Sequence, residues 1–127
     1  MVQPNGKAGK LDVLVENSVV EKIEENIQAE QAEMIDANGL WVMPGFIDLH
    51  VHLREPGQEY KEDIASGTSA AVHGGYTAVC CMPNTEPVND NESVLLLMKN
   101  RAQAANQCRV YPVAAITKGL KGEELTE

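Results

Sequence analysis

The 127-residue chain sets 19 acidic against 10 basic side chains, a formal charge of -9, and its 43% hydrophobic and 23% charged residues match a soluble globular protein rather than a disordered one. No cluster of Lys and Arg offers a footing for a phosphate backbone, so nucleic acid is not an expected partner. The opening MVQPNGKAGK has no apolar run behind it and no stretch nears the ~20 apolar residues that span a bilayer. The expectation is a cytoplasmic protein with no membrane partner.

In chain order, LDVLVEN and VVEKIEEN read as short strands in partial alternation, joined by turn chemistry at Asn17 and Ser18. AEMIDANGLWVMPG repeats the idea, with Asn38-Gly39 as a hairpin signal between two apolar runs. Residues 1–44 are therefore expected to form a small all-β layer. After Pro44-Gly45 the rhythm changes. FIDLHVHL reads as a mostly apolar strand, and KEDIASGTSAAVHGG as a helix closing on glycines. YTAVCCM is a second buried strand, SVLLLMKNRAQAANQ a second helix with Ser93 as its cap, RVYPVAAIT a third strand, and KGEELTE the opening turn of a third helix.

Apolar strands alternating with helices predict a parallel sheet covered by helices. Two β-α units and the start of a third over 45–127 leave apolar edges and faces bare, whereas a closed eight-stranded barrel takes about 250 residues. The pattern is that of a piece of a longer α/β protein.

Cys80, Cys81 and Cys108 have neither the spacing of a zinc ribbon nor that of a disulfide framework, and the adjacent pair is expected to serve the core. Different chemistry is offered by FIDLHVHLREPG. On an extended strand Phe46, Asp48, His50 and His52 share one face, while Ile47, Leu49 and Val51 take the other. Two imidazoles converging in this way suit zinc, and Asp48 is placed to accept from a histidine ring and fix its tautomer. Arg54 has the same parity if the extended backbone continues that far. His73, inside a helix, is not read as a ligand. Glu55 and Glu59 read as solvated loop carboxylates, and Pro56-Gly57, Gly74-Gly75 and Pro83 as turn and cap residues.

PGFIDLHVHLREPG followed by KEDIASGTSAAVHGGYTAVCCMPNTEP resembles the cyclic amidohydrolases, most closely the dihydroorotases of the long, barrel-bearing type. The resemblance runs from about Leu11 to the last residue and is dense between Pro44 and Pro87. It implies a (β/α)₈ barrel, here represented by its first strands and helices, preceded by part of a small β-domain assembled from both chain ends. It further implies zinc, one or two ions in the complete enzyme, on His50 and His52, and substrate contacts from Arg54 and Asn84.

The implied reaction is reversible opening of the cyclic amide of dihydroorotate to N-carbamoyl aspartate. The planar guanidinium of Arg54 suits the ring carboxylate of that substrate. The catalytic base and remaining metal ligands of the family come from later strands, so no catalytic residue is assigned within this chain, and the chain alone is expected to be inactive without the remainder of the barrel. A homo-oligomer or association with a carbamoyltransferase stays open. So do two rival readings: a hydantoinase, dihydropyrimidinase or allantoinase, whose substrates lack the carboxylate, and a non-catalytic scaffold.

Overall fold

The computed structural model describes residues 9–127. Residues 1–8, part of the stretch read above for a leader and as the start of the β-layer, lie outside the described residues. The chain divides into a unit ending at Pro44 and a second from Gly45 to Glu127.

The first unit contains one antiparallel hairpin, β1 (Asp12–Glu16) paired with β2 (Val19–Glu24). Asn17 and Ser18 both take positive φ, 51° and 64°, the signature of the two-residue turn whose twist matches that of paired strands. A shift of register between Leu14 and Val15 adds a bulge.

The second hairpin, expected around Asn38-Gly39, does not form. These residues instead make a local turn, in which Leu40 N–H donates to Ala37 O at 3.0 Å and Asn38 N–H to Asp36 Oδ1 at 2.9 Å. The flanking Met34, Ile35, Leu40 and Trp41 are 69–89% exposed. A hairpin signal is only half of a hairpin. Without an apolar surface to pack on, two short strands are marginal in water.

The second unit is a three-stranded parallel sheet in the order β3 (Phe46–Val51), β4 (Tyr76–Cys81), β5 (Arg109–Pro112). Helix α1 (Ile64–His73) links the first pair and α2 (Glu92–Ala105) the second. The core lies between sheet and helices: Leu53, Ile64, Val79, Cys81, Val94 and Met98 are buried together. The opposite face stays open, with Ile47 58%, Leu49 73% and Tyr111 52% exposed. Cys81 takes the expected core place, and burial pushes its thiol above the ordinary range. Cys80 differs. It pairs with exposed Tyr111 and is only partly buried, because a strand turns neighbouring side chains to opposite faces.

Helix α1 begins with a reciprocal capping box: Asp63 Oδ1 accepts from Ser66 N–H at 2.7 Å, and Ser66 Oγ accepts from Asp63 N–H at 3.3 Å. The Ser66 bonds hold the Asp63 carboxyl below its ordinary pKa. This carboxylate therefore stabilises the fold above the unfolded carboxylate range, and its help is lost as pH falls through the lowered value. The helix ends at Gly74, with Gly75 at φ 83°, as the paired glycines predict.

The cap of α2 is Asn91, not Ser93: Asn91 Oδ1 accepts from Val94 N–H at 3.1 Å while its own backbone stays extended. Ser93 already lies within the first turn, where its hydroxyl is badly placed to reach the free N–H groups. Asn91→Ala is accordingly expected to cost about 1 kcal/mol of stability and Ser93→Ala a few tenths at most, compared by thermal denaturation.

The expected third helix is also absent. Gly119, Leu120 and Gly122 take positive φ, a short 3₁₀ turn spans Lys118–Leu120, and the chain doubles back so that Thr126 N–H donates to Ile116 O at 2.9 Å. Two glycines within four residues favour this turn over a helical start.

Candidate active site at the C-terminal ends of the parallel strands

The loops that leave β3, β4 and β5 are bonded to one another. Met82 N–H donates to Val51 O at 2.9 Å, Glu86 N–H to Pro56 O at 2.9 Å, and Val113 N–H to Cys81 O at 2.8 Å. Asn89, fully buried, gives its side-chain amide to Val113 O at 2.9 Å and its backbone N–H to Pro83 O at 3.0 Å. Asn89 gives little sign of this in the sequence, where it is one polar residue in the loop between β4 and α2.

His50 and His52 stand at this end of the sheet with ring centres 5.2 Å apart and planes 70° from parallel. A metal 2.0–2.1 Å from one nitrogen of each ring, at a tetrahedral angle, requires centres about 5 Å apart. The pair fits that demand. Among the described residues no group of three His, Cys, Asp or Glu surrounds a common point, so the candidate ligands here are the two imidazoles.

The rings meet by a route other than simple alternation. Asp48 pairs with Val79 and Val51 with Cys81, so three steps on β3 match two on β4. Val79 and Cys81 face the helices, which places Asp48 and Val51 together on the covered side and puts a bulge at residues 49–50. The expectation that Val51 opposes Asp48 is therefore corrected. Asp48 makes no hydrogen bond to a ring. Its Oδ1 accepts from the His50 backbone N–H at 2.9 Å, a side-chain substitute for the ladder bond that a bulge forfeits.

The ring partner comes from the neighbouring loop. Asn84 Oδ1 lies 2.8 Å from His52 Nδ1. Oδ1 is acceptor-only, so Nδ1 carries a proton, and in the neutral tautomer the lone pair is on Nε2. In that tautomer Nε2 could act as a ligand atom. The Nδ2 end of Asn84 makes no hydrogen bond among the described residues.

Arg54 does not continue the strand. Its φ is 64°, and Glu55 N–H donates to Leu53 O at 2.8 Å across it, giving a three-residue turn of the rare, strained hand. The parity argument for Arg54 thus fails, since β3 ends at Val51 and the backbone reverses. A bulky residue held in this region of backbone space is itself a pointer to function.

Glu55 is not solvated either. Its side chain is 13% exposed, accepts from Ile64 N–H at 3.0 Å and pairs with Arg101 Nε at 3.1 Å. Glu59 is exposed as expected, and the Gly57 N–H on its carboxylate lowers its pKa. His73 sits at the end of α1, with Nδ1 2.8 Å from Ser69 O, remote in sequence role and bonding from the histidine pair.

Parallel β-α-β units with paired imidazoles, a strained arginine and an amide-fixed ring at the strands' C-terminal ends define an α/β protein of the kind that places its chemistry on strand-end loops. The chain belongs to the dihydro-orotase-like family, whose model matches residues 39–127. It is 58% identical over 118 residues to a dihydroorotase of Syntrophotalea carbinolica, covering 93% of this chain and 28% of that protein. A dihydroorotase of Aquifex aeolicus is 53% identical over 119 residues, 94% of this chain and 28% of that protein. A third, from Anaeromyxobacter dehalogenans, is 54% identical over 123 residues, 96% and 28% respectively. The chain thus spans a little over a quarter of the length of the curated relatives it matches.

Proposed function

We propose that this chain is the N-terminal part of a cytoplasmic, zinc-dependent dihydroorotase, which hydrolyses the cyclic amide of dihydroorotate to N-carbamoyl aspartate and in biosynthesis closes the ring. Residues 45–127 would be the first strands and helices of a (β/α)₈ barrel, and residues 1–44 part of a small β-domain. The bare face carrying Ile47, Leu49 and Tyr111 is where the remaining strands' side chains would pack. Three free thiols accord with a reducing compartment.

His50 and His52 would hold zinc through one nitrogen each, with further ligands and the base supplied by later strands. When bound, zinc supplies Lewis acidity and lowers the pKa of water. Asn84 holds the His52 proton at Nδ1 and turns its Nδ2 amide to the substrate. Arg54 takes the substrate carboxylate through two parallel N–H donors, orienting the scissile amide. Two imidazoles alone bind zinc weakly, so the 127-residue chain by itself would not turn over substrate.

The observation that supports this reading most is the paired rings 5.2 Å apart beside an arginine in a strained turn. Turnover of dihydroorotate, dihydrouracil and allantoin by the complete protein tests it. Arg54→Ala is expected to cut kcat/KM for dihydroorotate by about 10²-fold, the worth of a charge-assisted bidentate pair, and to spare the uncharged rings. An equal loss on all three would place Arg54 outside carboxylate recognition and favour a hydantoinase-type substrate.

A further inference from the structure

The geometry points to Glu55 as a positioning residue for Arg54: its carboxylate, bound between the first turn of α1 and Arg101 of α2, holds Arg54 in the strained turn from which its guanidinium reaches the substrate. This inference rests on the proposed role of Arg54 and goes beyond it, because it says what keeps a strained residue in place.

A non-glycine residue at φ 64° relaxes unless its neighbours forbid it. Both neighbours of Arg54 do so. Leu53 is 1% exposed and fits so closely on α1 that a Cβ at Gly67 would fall 2.6 Å from its Cδ2. It cannot rotate out without leaving the core. On the other side, Glu55 Oε2 accepts from Ile64 N–H, one of the unpaired donors at the start of α1, and Oε1 meets Arg101.

The two anchors differ in kind. Leu53 is held by packing that the whole unit requires, whereas Glu55 is held by two polar contacts, one to the backbone N–H of buried Ile64 and one to the exposed guanidinium of Arg101. The carboxylate sits in sequence directly beside the strained residue and is 13% exposed, while its partner Arg101 is 61% exposed. An exposed guanidinium adds little to stability by itself. Its place here is to satisfy the second oxygen of a carboxylate that has been drawn inward. With the first oxygen on α1, the carboxylate fixes the backbone one residue away from the group proposed to bind substrate.

The test uses the complete enzyme with Glu55→Ala, Glu55→Gln and Arg54→Ala, alone and as Arg54→Ala/Glu55→Ala. Glu55→Ala is expected to raise KM for dihydroorotate roughly tenfold with kcat within about twofold and bound zinc unchanged, since misplacing an orienting group by an ångström is enough for losses of this size. Glu55→Gln keeps an acceptor for Ile64 N–H and is expected to fall between. In the Arg54→Ala background, removal of Glu55 should add nothing, which a merely structural brace would not show.

Equal effects of Glu55→Ala in both backgrounds, or a fall in zinc content and kcat with KM unmoved, would overturn the inference. So would an unchanged KM in Glu55→Ala where Arg54→Ala raises it. If Glu55→Ala does not fold, the same cycle with Glu55→Gln decides. Failure of the underlying reading shows separately, as an unmoved KM in Arg54→Ala alone, and takes the positioning role with it.

Discussion

Replacing His52 by alanine in the complete enzyme is expected to remove bound zinc and to lower turnover by about 10²–10³-fold or more, because a Lewis acid supplies several kcal/mol and each 1.36 kcal/mol is a factor of ten in rate. His50→Ala should do the same. Metal content by elemental analysis, read beside kcat, checks both.

The neighbouring amide gives a finer outcome. Asn84 bonds His52 through Oδ1 at 2.8 Å, and loss of such a partner behind a ligand ring costs roughly 10–100-fold in metal affinity. Asn84→Asp retains an acceptor for Nδ1–H and should recover most of that affinity, whereas Asn84→Ala should not. A substrate contact by Nδ2 would appear instead in KM and would not be restored by aspartate, which has no donor. The two roles are thus separable at one residue. Zinc retained at full occupancy in His52→Ala would refute the metal assignment outright.

What could be read from the amino acids follows from the range over which each signal acts. The β1–β2 hairpin, both helices and the three strands of the second sheet were legible because period and turn chemistry act within a few residues. Their parallel pairing followed from apolar strands alternating with helices.

The bulge at 49–50 was not legible. Nothing in FIDLHV distinguishes a regular strand from one that fits three steps against two, since the cause is the register with β4. Parity therefore put Val51 on the wrong side of Asp48, although the histidine rings still meet. The role of Glu55 was hidden for the same reason. A glutamate between arginine and proline looks solvated until α1 and α2 are folded against it. Asn38-Gly39 shows the converse. A strong local signal without a surface to pack on gave a turn and no strands.

Gly57→Ala is the substitution expected to damage the fold of the site most. Alanine at a Gly position usually stabilises by about 0.4–1 kcal/mol through the unfolded chain. Two larger effects oppose it here. At φ 97°, beyond the left-handed helical well, a Cβ is strained, and that Cβ would lie 2.0 Å from Glu86 O and 2.8 Å from Glu86 C. These are backbone atoms of the β4 loop, which cannot swing aside as a side-chain end would.

Relief requires the two loops to part, which breaks the 2.9 Å bond from Glu86 N–H to Pro56 O and moves Arg54 relative to Asn84. Strain of 1–3 kcal/mol and overpacking of similar size outweigh the gain, for a net loss of about 2–4 kcal/mol. Gly122 supplies the control: its φ is 75° and nothing lies within 4 Å of a Cβ there, so Gly122→Ala carries the dihedral cost alone. Urea denaturation of both variants in the complete enzyme should find Gly57→Ala the more destabilised, together with a raised KM that Gly122→Ala lacks. Equal losses in the two would mean that the loops from β3 and β4 do not meet at Gly57, the contact on which the proposed approach of Arg54 and Asn84 to one substrate relies.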